Sequence, residues 1–341
     1  HFLSVVRTFG EVFPHIQLWW VNGNDYLLVG GDRPIRMSLN VLRSRFKEPR
    51  IYEWLTAANW PDEHEFLAAF IAQDDALRRQ AASAALHTDD NMLLEFAAPR
   101  ALYATTRLFR SVCFTPTPED LINLEGLTSD ERAEFLQKLD LAVAAREHMR
   151  LALEQPDPDE PHIQIAHCLV PQQRWATEYL AKQAKETSPS KERASAQDLS
   201  LWDADRLWLK ANTLAYQKKG AEAISVLNFR ANVNPKNKQA LRDFNLVRLA
   251  YIEALDDRQA AWIWPALIST RRAGHELCAL QPDESANWAL LCRSWLALAK
   301  FDATSAVFYR QQAAKVYVKL SSLIGDNRAK LPADLVKEFG D

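Results

Sequence analysis

His15-Ile16-Gln17-Leu18-Trp19-Trp20-Val21-Asn22-Gly23-Asn24-Asp25-Tyr26-Leu27-Leu28-Val29-Gly30 is the stretch on which the fold turns. Its first seven residues form an apolar run rich in aromatic and β-branched side chains. Asn22-Gly23-Asn24 then supplies residues that tolerate positive φ, and Tyr26 to Val29 resumes the run, so the segment reads as a β-hairpin. Working outward, Phe2, Val5, Val6, Phe9 and Phe13 recur at helical spacing before it, and Pro14 stops that helix. After it, Gly30-Gly31-Asp32-Arg33-Pro34 ends the second strand with residues that break a ladder. A glycine-rich cofactor loop is the other reading of those glycines, but a third glycine is missing and Pro34 follows, which favours a plain strand terminus.

Beyond this hairpin the chain reads as helical. Nine glycines in 341 residues is a low share, and a chain that seldom needs positive φ is mostly helix. Asp62 to Ala85 places Phe66, Leu67, Phe70, Ile71 and Leu77 on one helical face, with Asp75 and Arg78 left for solvent. His87-Thr88-Asp89-Asp90 is a polar break, and strands leave the pattern from about Leu121. From there, helical stretches alternate with proline-bearing breaks at 155–161, 188–190, 234–237 and 281–284.

Those breaks invite a test for repeats. The tetratricopeptide pattern asks for large residues between paired helices and small ones where backbones approach. Trp288, Leu291, Cys292 and Trp295 fit its first helix, and Thr304 with Phe308 falls at its second-helix positions. Ala223 and Leu227, followed by Pro235, fit the second helix and exit of an earlier unit, whose first helix offers Leu207, Ala211 and Leu214. The interval of 47 between Pro235 and Pro282 exceeds the ideal period of about 34. Tetratricopeptide-like pairing and an irregular helical array both stay open, because any array of helical hairpins shows this rhythm.

Four stretches in the first hundred residues resemble the carboxy-terminal end of the spermidine synthase-like (polyamine aminopropyltransferase) family. They are 6–15 (Val-Arg-Thr-Phe-Gly-Glu-Val-Phe-Pro-His), Leu18-Trp19-Trp20, 24–30, and Thr88-Asp89-Asp90 with 94–100. The resemblance covers residues 1 to about 105. It implies a methyltransferase-like parallel sheet finished by an antiparallel hairpin, with the first stretch as the last crossover helix and the next two as the final strands. It also implies that the loop cradling decarboxylated S-adenosylmethionine, and the groups that orient the attacking amine, belong upstream of His1. Cofactors are therefore expected to be none in this chain, and decarboxylated S-adenosylmethionine only with an upstream half. Thr88-Asp89-Asp90 reads either as an N-cap or turn, or, with Glu95, as carboxylates holding a cationic amine in the polyamine pocket.

The remaining candidates point to no chemistry of their own. His162 and His167 are five apart, on different helix faces and off metal-ligand spacing, so with Cys168 they read as structural filler; no metal is expected. Trp262, Trp264 and Pro265 read as a buried helix seam, or as a patch touching a membrane or partner. Arg271-Arg272 and Lys218-Lys219 read as pairs solvating helix ends. Cys113, Cys168, Cys278 and Cys292 lack disulfide or zinc spacing, which suits a reducing compartment. A net charge of -3 with no basic concentration argues against nucleic acid, and no apolar run reaches the ~18 residues of a membrane span.

The expected architecture is mainly α: a partial α/β piece at 1–105 and an α-helical, tetratricopeptide-like region at 120–341. The opening on His1 leads to the expectation that the chain begins inside a larger gene product. The expected role is a protein-docking scaffold, with partners gripped by the repeats, in the cytoplasm or at a membrane's cytoplasmic face through an upstream segment or partner. The alternative is aminopropyl transfer to a diamine when an upstream catalytic half is present.

Overall fold

Pro14 separates an amphipathic helix, α1 (Phe2–Val12), from strand β1 (His15–Asn22), which turns back into β2 (Asp25–Gly31). The computed structural model describes residues 2–22, 25–58, 60–88, 90, 118–153, 160–171, 238–253, 263–325, 327 and 330–340. The chain is mainly helical with a small sheet. It divides into two compact units, His1–Leu127 and Thr128–Asp341.

In the first unit the hairpin register pairs Leu18 with Leu28 and Trp20 with Tyr26, antiparallel. The hairpin is joined by a third strand, β4 (Phe70–Gln73), antiparallel to the other edge of β1. β1 is therefore central, which explains why its apolar residues occupy both faces, with Gln17 as the polar exception: both faces are covered. On one face Ile16 and Leu18 pack with Val6, Ala72, Leu77 and Ala81, flanked by Phe2, Phe9 and Phe13. On the other, Trp19 packs with Trp60, Ala69, Phe70 and Leu121. Gln17 is buried on the Trp19 face, donating to Ile35 O at 3.0 Å and accepting from Trp19 Nε1 at 3.1 Å. Gly30 is required by close approach, since a Cβ there would sit 2.5 Å from the Phe13 ring.

The single helix expected over Asp62 to Ala85 is corrected to three elements: α4 (Glu63–Ala68), β4, and α5 (Asp74–Ala81). The physical reason is tertiary. Phe70 to Gln73 satisfies the open edge of β1, and that ladder overrides a helical periodicity that four residues can meet equally well. The corner is made at Asp74, whose φ of 41° lies in the left-handed region and whose carboxylate accepts from Ile16 N at 2.9 Å. Arg78 is corrected as well. Rather than facing solvent, it donates to the carbonyls of Gly10, Phe13 and Pro14, closing the end of α1. Helices α2 (Leu39–Phe46) and α3 (Pro49–Ala57) fill the interval the sequence reading left blank. The short strand β3 (Met37–Ser38) pairs in parallel with β5 (Ile122–Asn123), so strands continue past Leu121.

The second unit contains α6 (Ser129–Leu153), α7 (Glu160–Leu169), α8 (Lys238–Glu253), α9 (Ile263–Leu280), α10 (Ser285–Phe301), α11 (Ala306–Ile324) and α12 (Ala333–Phe339). Helix α9 is its axis, packing against α6, α7, α8 and α10. Every residue from Thr270 to Cys278 is buried. Gly274 lets α10 come close, because a Cβ there would lie 3.1 Å from Leu291 Cα. Asn287, buried in the first turn of α10, donates to Leu277 O at 3.2 Å and ties the start of that helix to the end of α9.

Candidate functional site

Charged side chains converge in the interior of the helical unit. Helix α9 carries Arg271 and His275 one turn apart, and Arg272 and Glu276 one turn apart beside them. Helix α6 presents Asp140 and, two turns later, Glu147 and His148. His162 comes from α7, and Lys238 and Arg248 come from α8.

Two groups form from these residues. In the first, Asp140 is fully buried and accepts from Arg271 Nε at 2.7 Å, Arg271 Nη2 at 2.8 Å and His275 Nδ1 at 2.9 Å. Burial alone would raise this carboxyl, but the Arg271 guanidinium and the His275 bond outweigh it and hold Asp140 well below the usual carboxylate range. The Trp295 ring closes the group, lying under the Arg271 guanidinium at 5.1 Å and meeting the His275 ring edge-on.

In the second group, His148 Nε2 donates to Glu276 Oε1 at 2.9 Å while its Nδ1 faces His162 Nδ1 at 2.7 Å. Burial would raise Glu276, yet His148 and Lys238 keep it lowered and ionised. Burial, with His148 beside it, pushes His162 down to about 3. Burial also pushes the nearby Arg248 down to about 9, with Arg272 adding repulsion; its Nη1 donates to Ala266 O and Thr270 Oγ1.

Chemically, the Asp140 group is an anchor whose carboxylate is saturated with donors. The His148 group holds protons: a carboxylate orients one imidazole, and the ring nitrogen that could otherwise meet a substrate meets a second imidazole. Among the described residues no cluster of histidine, cysteine or acidic side chains could hold a metal ion.

The residues expected from sequence are distributed unevenly over this arrangement. Leu291, Cys292 and Trp295 are buried on α10, Trp288 is half-buried in its first turn, and Trp295 caps the Asp140 group. Cys292 Sγ donates to Ala313 O on α11. Ala223 and Leu227 lie outside the described residues, as do Asp89 and Glu95, while Asp90 is exposed. One expectation is corrected. Arg271 and Arg272 do not solvate a helix end; they are buried in mid-helix, because Asp140 supplies the counter-charge. His162 is a buried histidine that packs against His148. Asp140, His148 and Glu276 were missed, although a double pair of charged residues one turn apart inside the apolar segment 263–280 was a readable signal.

Compared with protein-family models, curated proteins and solved structures, the chain gives no match.

Proposed function

We propose that the chain is a docking scaffold or assembly subunit, formed by the carboxy-terminal part of a spermidine synthase-like protein and not catalytic by itself. The observation that carries this reading is the serial packing of α9, α10 and α11, each on the next, about a seam of Gly274, Leu291, Cys292 and Trp295. Stacked helices of this kind expose long surfaces suited to gripping another chain, and tetratricopeptide-like pairing is the form proposed for them. The buried charges beneath give rigidity rather than chemistry, because each carboxylate is already engaged.

A second reading is favoured by the order helix, strand, strand at α1, β1 and β2. The hairpin is sheathed on both faces and β2 is one of the two edge strands of its sheet among the described residues, β4 being the other. This suits the end of a methyltransferase-like domain that adds a strand at β2. In that reading the whole protein is an aminopropyltransferase, with Asp89, Asp90 and Glu95 near the amine.

Titration calorimetry of this chain with decarboxylated S-adenosylmethionine and putrescine tests the first reading. The scaffold reading expects no heat of binding, and saturable binding to this chain overturns it. None of the described helices is long and apolar enough to cross a membrane, so a membrane location for this scaffold would come through a partner or another segment.

A further inference from the structure

Strand β2 carries main-chain hydrogen-bonding groups that its own sheet does not use. On β1, the N–H groups of Ile16 and Trp20 point toward β4, meeting Asp74 Oδ1 at 2.9 Å and Ala69 O at 2.8 Å. Directions alternate along a strand, so Gln17 and Trp19 face the other way and bond β2 at Val29 and Leu27. Leu28 and Gly30, lying beside those two, therefore aim their N–H and C=O groups away from β1. On that side the sheet has no further strand among the described residues.

Edges of this kind are ordinarily blunted by charge, proline, a bulge or short length. The opposite edge, β4, has only four residues and an irregular register against β1. β2 has seven residues, and from Tyr26 to Gly30 it holds no charge and no proline. Its irregularity is confined to the turn, between Trp20 and Asn22 of the facing strand. Leu27, moreover, is 47% exposed, although its cross-strand neighbour Trp19 is buried.

We infer that β2 pairs with the β2 of a second copy of this chain, antiparallel about a two-fold axis through Leu28, so that two three-stranded sheets become one. The register is what selects a second copy. A two-fold axis there sets Leu28 opposite Leu28, and the two residues exchange both N–H···O bonds. Leu27 then stands opposite Val29 of the second copy in a non-hydrogen-bonded pair, where side chains approach most closely, and its exposed surface is covered. Asp25, the one charge in β2, meets Gly31, so no like charges are opposed. This pairing goes beyond the docking role proposed above and draws on none of the helical unit.

Sedimentation equilibrium of the full chain tests it. The measured mass is expected to rise with concentration toward twice the 38.9 kDa of one chain. Leu27→Lys alters the pair with Val29 on both sides of the axis and should raise the dissociation constant by roughly tenfold or more. Leu28→Pro removes an N–H that β1 does not use and should abolish the dimer. Val307→Lys, at an exposed apolar side chain of the helical unit, should leave it unchanged. Amide exchange read residue by residue reports from inside the strand: the N–H groups of Leu28 and Gly30 should slow as concentration rises. A chain that stays monomeric up to about 0.5 mM would overturn the self-pairing and leave the edge to the added strand of the second reading. So would a dimer undiminished in L27K, an equal loss in V307K, or Leu28 and Gly30 amides indifferent to concentration. Should L28P fail to fold, L27K and the amides decide.

Discussion

Removing the Asp140 carboxylate is the most incisive perturbation of the helical unit. Asp140 is fully buried, and Arg271, 1% exposed, directs two N–H groups at it while His275 directs a third. Asp140→Ala strips these donors of their shared acceptor and leaves a guanidinium in the interior without that counter-charge. Breaking a buried ion pair from one side costs about 3–5 kcal/mol, a large part of a typical stability of about 5–15 kcal/mol. In a unit of this size the loss corresponds to a fall of roughly 10 °C in the melting midpoint. Asp140→Asn, which keeps the shape and one acceptor, should lose less.

The assay is thermal and urea unfolding of the full chain, run as a double-mutant cycle with Arg271→Leu and the pair D140L/R271L. The pair should cost clearly less than the two single changes together, because it removes the orphaned charge along with its partner. A loss under about 1 kcal/mol in D140A, the value of an exposed pair, would refute the anchor, as would strict additivity in the cycle. The pH dependence has a defined sign. The depressed carboxyl contributes fully above its unfolded range near pH 4, and that contribution is lost as the pH falls below it.

Three further outcomes follow from the packing. Gly30→Ala forces a Cβ against the Phe13 ring and should cost about 1–3 kcal/mol, read by urea unfolding; a neutral change would mean that α1 shifts freely on the sheet. Asp62 caps α4 through the N–H groups of His64 and Glu65, so Asp62→Ala should cost about 1 kcal/mol by the same measure. Burial alone would raise the Asp62 carboxyl, but bonds to His64 and Glu65 keep it lowered, so the gap between wild type and D62A should close as the pH falls through the unfolded carboxyl range. Cys278 and Cys292 are buried with thiols pushed up to about 12 by burial, whereas Cys168 is exposed, so a maleimide should label Cys168 before Cys278 and Cys292, which react only as fast as the unit opens. Mass-spectrometric mapping with Cys278 labelled early would contradict the packing of α9.

Local chemistry made α1 and the hairpin legible. Pro14 and Asn22-Gly23-Asn24 punctuate a switch from helical to alternating or continuous apolar spacing, and both signals act within a few residues. β4 was not legible, because Phe70-Ile71-Ala72-Gln73 is too short to distinguish the two periods and its partner Gln17 lies 56 residues earlier. The charged interior failed for the same reason on a larger scale. Arg271 and Arg272 look like ordinary solvated residues until Asp140, 131 positions away, is placed opposite them. Of the carboxylates that the resemblance suggests for holding an amine, only Asp90 lies among the described residues, and it is exposed.

The span between Asp140 and Arg271 has a consequence for biosynthesis. At translation rates of about 5–20 residues per second, Asp140 leaves the ribosome some 7–26 seconds before its guanidinium partner. Over that interval α6 is a nascent helix whose ionised side chain must remain hydrated. Slower synthesis across residues 154–262 would lengthen that interval in proportion.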